Sequence, residues 1–219
     1  NQIDAGFDLI NSYLGMETGD YVKSFLAVDL VQPDDVTDKS AMVRWERRVA
    51  AYLCCLSEAG FKPPAGFKVR FSGNGELNAL VKEDGSINPT KGVTLQEASN
   101  WFNVIWDNYN SDYFVDYKRK KGHEWADEDL KAILVFLSRK RTPGGSANVS
   151  GFRKLRGILD LHTQSVDKAF DEEIIEQLRK GKIIIIDLSQ GDPKVQTLYS
   201  EKICQRIFAD SMGRFIDNA

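Results

Sequence analysis

The sequence predicts an α/β chain dominated by α: a helical bundle through about residue 180, then one strand and one long helix. Three observations carry this. Apolar residues recur at helical spacing in successive segments before residue 180. The run Gly181-Lys-Ile-Ile-Ile-Ile-Asp-Leu-Ser189 has the continuous branched character of a strand buried on both faces. The stretch from Val195 to Ile216 then returns to a helical pattern. Other strand candidates are few, so the sheet to which 181–189 belongs is expected to lie mostly outside this sequence. The domain division that follows is 1–180, a mainly helical bundle, and 181–219, a strand and helix.

Taken in order, Ile3, Phe7, Ile10 and Leu14 space a short helix closed by Gly15. Residues 21–31 are mixed, and Gln32-Pro33-Asp34-Asp35 breaks them. From Asp38 to Leu56, Met42, Trp45, Val49, Tyr52, Leu53 and Leu56 line one face, while Arg44, Arg47 and Arg48 fall mostly elsewhere. Gly60 stops that helix. Residues 61–93, with Pro63-Pro64, several glycines and the alternating run Phe67 to Phe71, read as a loop elaboration with at most a small strand or hairpin.

Thr94-Leu-Gln-Glu97 is a capping box, opening a helix through about Tyr109 with Leu95, Ala98, Trp101, Phe102 and Ile105 on one side. Asp127 to Arg139 forms another on Leu130, Ile133, Leu134 and Leu137. Ser150 is placed to cap a helix holding Phe152, Leu155, Leu159 and His162, and Phe170 to Lys180 makes one more, ended by Gly181.

With 219 residues, 42% of them hydrophobic, the chain can bury a core. A formal charge of −3 and a pI near 5.5 exclude a global attraction to nucleic acid and leave local basic patches open. Cys54, Cys55 and Cys204 form no CxxC pair, which argues against a disulfide framework and fits a reducing, cytoplasmic setting. No apolar run reaches the roughly 20 residues of a membrane span. A first residue Asn1 rather than Met, with a final helix running close to Ala219, reads as a trimmed or excised piece.

The motifs bound the chemistry. Ile183 follows Gly181-Lys182, so the GxxxxGK loop ending in Ser or Thr that wraps phosphates is incomplete here. Ile183 to Asp187 has the apolar-then-acid form of a Walker B strand, but Leu188 follows the aspartate where a glutamate would polarise water. Asp187 is thus a strand-end candidate for magnesium chemistry or a turn cap. The segment holding Arg139, Lys140, Arg141, Arg153, Lys154 and Arg156 has six basic residues, no acid and a Gly/Ser/Asn-rich loop. It is the candidate DNA-binding surface, with a solvated helix end as the alternative. A second run, Lys118 to Lys121, faces the acids Glu124, Asp127, Glu128 and Asp129 and neutralises itself. His123 and His162 stand at no metal-ligand spacing with any cysteine, so no metal site is assigned. No nucleophile–base set supports a catalytic assignment.

Over about 181–210, Gly181-Lys-Ile-Ile-Ile-Ile-Asp-Leu-Ser-Gln-Gly191 followed by Leu198-Tyr-Ser-Glu-Lys-Ile-Cys-Gln-Arg-Ile-Phe208 resembles the HerA-type ATPases of the HerA/FtsK superfamily. The matching segment lies between their inserted helical bundle and their Walker B strand. The resemblance implies that 1–180 is such an insertion and that 181–219 rejoins a RecA-like P-loop ATPase core. It implies ATP and Mg as cofactors of the complete protein, a Walker A loop before residue 1 and a Walker B strand after residue 219. It also implies a hexameric homo-oligomer translocating double-stranded DNA, with a nuclease or other effector, in repair or antiphage defence. This chain alone would not hydrolyse ATP. Arg206 is a candidate for a subunit interface. Two alternatives come from the residues themselves: a nucleic-acid-binding module working without nucleotide, centred on 139–156, or a helical interaction scaffold. Burying Ile183 to Ile186 is worth on the order of 6–10 kcal/mol at roughly 1.5–3 per side chain. The isolated chain is therefore expected to self-associate or to place this strand against other subunits.

Overall fold

The computed structural model describes residues 10–11, 13–15, 17–82, 85–161, 170–187 and 193–217, and most of them are helical. Compactness separates Leu14–Leu159 from a second unit that contains Asp160–Ala219. The first unit holds α1 (Asp20–Leu26), α2 (Lys39–Ala59), α3 (Gly75–Val81), α4 (Leu95–Asp107), α5 (Asp112–Lys121) and α6 (Glu128–Ser138). A 3-10 segment, Gly151–Leu161, follows them. The second unit holds α7 (Phe170–Arg179) and α8 (Pro193–Asp217).

Local chemistry sets the helix ends. The Asp38 carboxylate accepts the amides of Ser40 and Ala41 to start α2, and Gly60 ends it at φ 118°, where a Cβ is penalised. The Thr94–Glu97 capping box opens α4 as its sequence predicts. Asp127 accepts the Leu130 amide to start α6.

α2 lies at the centre, packed against α4 and α6, while α1 packs on α6 and α3 on α4. The face of α2 that packs most closely is not the expected large apolar one. Ala50, Ala51, Cys54, Cys55 and Ala59 are buried, together with Tyr52 and Arg47, whereas Met42, Trp45, Val49, Leu53 and Leu56 are half-buried. Small side chains let the neighbouring helices come close, so they are covered first. Large side chains then fill the layers around them. Phe25 stacks on Phe136 at 3.8 Å and on Tyr52 at 5.0 Å. Trp101 meets Phe71 and Phe102 edge-on at 5.1 and 5.3 Å, and its indole N–H donates to Asn78 Oδ1 at 3.1 Å.

Several elements depart from the expectation. α1 forms within the stretch read as mixed, because Val22 and Phe25 are buried. α3 forms inside 61–93, capped by the Asn74 side chain on the Leu77 amide. The expected hairpin there reduces to one antiparallel bridge, Val69 with Val93. α5 forms around buried Phe114, which packs on Tyr109 and Trp125, and Gly122 ends it in left-handed geometry. The expected helix after Ser150 is a 3-10 segment, and His162 lies outside the described residues.

The strand expected at 181–189 is not found: residues 182–187 carry no helix or strand, and Leu188 and Ser189 lie outside the described residues. A strand exists only through ladder bonds to a neighbour, and among the described residues no chain pairs with 182–187. Ile183 and Ile185 are 93% and 90% exposed.

Gly151 is where the 3-10 segment abuts α6. Its φ is +53°, and a Cβ there would stand 2.2 Å from the Phe136 carbonyl oxygen. Gly151→Ala is therefore expected to cost well over about 1 kcal/mol, read as a lower urea midpoint. Gly66→Ala, at φ +76° but with open space around it, tests the backbone strain alone and is expected to cost less.

Candidate nucleic-acid interface

The six cations of the candidate DNA surface have different fates. Arg139 is the C-cap of α6, at φ 63° and ψ 23°, a left-handed geometry that disfavours a side chain. Anchoring offsets that cost: its carbonyl accepts the amides of Asn148 (2.9 Å) and Val149 (3.2 Å), and its Nε donates to the Val149 carbonyl at 3.3 Å. Lys140 pairs with Asp107 at 2.5 Å, while its carbonyl accepts the Trp106 indole N–H at 3.1 Å. Lys154 pairs with Glu17 at 2.8 Å, joining residues far apart in sequence. These three side chains organise the loop or tie it to the bundle.

Arg141, Arg153 and Arg156 are exposed. Arg141 is held through its backbone amide by Asn148 Oδ1 at 3.2 Å, and its guanidinium lies 5.4 Å from the Tyr21 ring centre. Arg156 stands 5.9 Å from the ring of Phe152. The loop after α6 and the 3-10 segment that follows it thus present only part of their charge.

Of the second basic run, Lys118 reaches one of the expected acids, whereas Asp127, Glu128 and Asp129 are engaged by the Leu130 amide, Lys131 and Arg48. Lys118 binds Glu124 at 2.8 Å and Arg119 binds Asp116 at 2.8 Å. Lys131 bridges Glu124 and Glu128. Hydrogen bonds from Lys118 and Lys131 hold the Glu124 carboxyl down at about 2. For Lys131, burial opposes the charge, but the bonds to Glu124 and Glu128 outweigh it and raise its pKa.

Two features were not foreseen. Arg47, expected away from the packed face, is buried over the Trp125 ring at 4.3 Å and donates Nε–H to the Ser72 carbonyl at 3.0 Å. Burial lowers its pKa from the ordinary arginine value. Only the tertiary placement of Trp125 makes this burial tolerable, so no periodicity could reveal it. The second is a cleft of about 520 Å3 between α1 and α6, lined by Tyr21, Ser24, Trp106, Ala132, Val135 and Arg141 among others. Of its three acids, Asp20, Glu128 and Asp129, the last two are engaged by Lys131 and Arg48. The Arg48 Nε is buried with no hydrogen-bond partner among the described residues.

The remaining candidates lie in the second unit. Asp187 is exposed. Arg206 Nε stands 3.8 Å from the Asp171 carboxylate, an ion pair within the unit. Burial pushes the Cys54 and Cys55 thiols well above the ordinary range, so both are poor nucleophiles. No group of His, Cys, Asp and Glu that could hold a metal occurs among the described residues. No helix among them is long and apolar enough to cross a membrane. Compared with protein-family models, curated proteins and solved structures, the chain matches none.

Glu124 has a folded pKa below its unfolded value, so its contribution to stability is present above about pH 4.5 and is lost as pH falls through about 2. Glu124→Gln should flatten the pH dependence of the urea midpoint across that window. At higher pH it should cost about 0.5–1 kcal/mol, since the pair is largely solvated.

Proposed function

We propose that this chain is the helical insertion and the rejoining strand and helix of a ring-forming, ATP-driven DNA translocase or helicase resembling the HerA-type ATPases. The observation that carries the reading is the arrangement of α7, the isoleucine run and α8. Phe170 and Asp171, at the start of α7, meet Tyr199, Lys202 and Arg206 of α8, whereas Arg179, at its end, meets Asp210. The two helices therefore run in the same direction, and the chain must travel back past α7 before α8 begins. A helix, a returning run and a parallel helix form the repeating unit of a parallel sheet covered by helices.

The exposure of the isoleucines supports the same reading. Ile184 is half-buried and Ile186 is 40% exposed, between and beside the almost fully exposed Ile183 and Ile185. Alternation with a period of two is the signature of a strand with one face on its helices and the other awaiting a second layer. On this reading neighbouring strands come from the rest of the ATPase core. ATP and Mg bind there, Asp187 sits at the strand end, and Arg206 lies near a subunit boundary.

Duplex DNA contact falls to Arg141, Arg153 and Arg156, since the other three loop cations are committed within the fold. A binding module acting without nucleotide would use the same three residues, so the motifs around the chain discriminate. The open reading frame is expected to carry a GxxxxGK loop ending in Ser or Thr before residue 1 and an apolar strand ending in an acidic pair after residue 219. Its full-length product should hydrolyse ATP faster with duplex DNA; a reading frame without either motif would sink the proposal.

For the DNA surface, the combined Arg141→Ala, Arg153→Ala and Arg156→Ala change should weaken duplex binding. It should also reduce the slope of log affinity against log salt by roughly 0.9 for each phosphate no longer neutralised. Lys140→Ala and Lys154→Ala should instead lower stability with little change in the slope; the reverse pattern counts against this assignment.

A further inference from the structure

Among the described residues Arg47 is the only buried charged side chain, at 9% exposure, and no carboxylate pairs with it. The Trp125 ring covers its face and the Ser72 carbonyl accepts its Nε–H. Its two terminal nitrogens have no hydrogen-bond partner among the described residues, and neither is sealed from water. Neighbouring cations are treated differently: Arg48 binds Asp129, Lys118 binds Glu124 and Arg119 binds Asp116. A desolvated charge without a counter-charge is costly, so an anion from outside gains at Arg47 what ion pairs supply to the others.

The groups beside it are donors. The Tyr113 hydroxyl accepts the Asn74 side-chain N–H at 2.6 Å, which leaves its own proton to give. The Tyr117 hydroxyl, on a half-buried ring 6.4 Å from that of Tyr113, bonds to nothing among the described residues. Two links bring these hydroxyls to Arg47. Ser72 and Asn74, two residues apart, hold Arg47 and Tyr113, and the Phe114 ring joins that of Tyr113 at 4.9 Å to that of Trp125 at 5.8 Å. Tyr117 and Tyr113 accordingly act on the Arg47 charge more strongly than any carboxylate does. Of the acids nearby, Asp127 is turned to the Leu130 amide, and Glu46 and Glu76 form no ion pair with Arg47. Lys120 and Lys121, exposed and three and four residues beyond Tyr117, continue its face of α5.

We propose that Arg47, Tyr113 and Tyr117 form a binding site for a phosphate group, gripped by the terminal N–H groups of Arg47 and by both hydroxyls. A tetrahedral oxyanion presents acceptors in several directions and so matches donors arriving from α2 and from α5. A planar carboxylate would use the arginine fork alone. The phosphate is either free or carried by a nucleotide whose base lies against Tyr117 and His123, two rings already edge-on at 5.8 Å. The inference rests on the first unit only and stands apart from the ATPase reading.

Titrating the nitrogen-labelled chain with inorganic phosphate at constant ionic strength should shift the Arg47 Nε–H and Trp125 indole N–H resonances saturably, with a dissociation constant on the order of 1 mM. Tyr117→Phe removes a hydroxyl that bonds to nothing in the fold, so binding should weaken about five- to tenfold while the urea midpoint stays in place. Arg47→Lys keeps the charge but loses the fork, and should weaken binding at least about tenfold. Adenosine monophosphate binding at least about tenfold tighter than phosphate assigns the group to a nucleotide, whereas equal affinity assigns it to free phosphate. Shifts that do not saturate below about 20 mM phosphate overturn the proposal. So does acetate binding as tightly as phosphate, and so does phosphate affinity unchanged in Tyr117→Phe, which decides the matter even if Arg47→Lys fails to fold.

Discussion

The first unit depends on how closely other helices approach α2. Ala50, Ala51, Cys54, Cys55 and Ala59 are buried on its packed face, and the Cys54 and Cys55 thiols reach the backbone carbonyls of Leu95 in α4 and Ile133 in α6. A larger residue at any of these positions would push a whole helix outward rather than one side chain. The aromatic layers follow from this spacing. Phe25, Tyr52 and Phe136 stack in one layer, and Phe71, Trp101 and Phe102 meet in another.

Arg47 is a charge placed inside that arrangement. Its guanidinium replaces water with the face of Trp125 and the Ser72 carbonyl, joining α2 to the segments before α3 and before α6. Trp125 in turn packs on Tyr109 and Phe114, so α5 is held by the same cluster. Desolvating a cation is tolerable only where such partners are fixed in advance. The basic loop after α6 follows the same logic at the surface: its fold consumes Arg139, Lys140 and Lys154, and the charge left for a partner belongs to Arg141, Arg153 and Arg156.

The second unit has a different balance. α7 and α8 meet through ion pairs and two ring contacts around Phe170, while Ile183, Ile185, Phe208 and Phe215 face outward. Exposed apolar groups in this number are unfavourable in water.

What the sequence determined by itself was local. The capping box at Thr94, the helix starts at Asp38 and Asp127, the stops at Gly60 and Gly181, and the apolar faces of α4 and α6 were legible because each rests on residues within one or two turns. The pairing of Lys118 with Glu124 was legible for the same reason. Tertiary structure alone decided which face of α2 is central, that Arg47 is buried, that α1, α3 and α5 form, and that three of the six loop cations are committed. Each of these depends on a partner distant in sequence, such as Glu17 for Lys154 or Trp125 for Arg47, and periodicity carries no information about distant partners. The isoleucine run marks the same divide. Its composition suits a strand, but a strand is a relation between two chains of backbone, and among the described residues the second is not there.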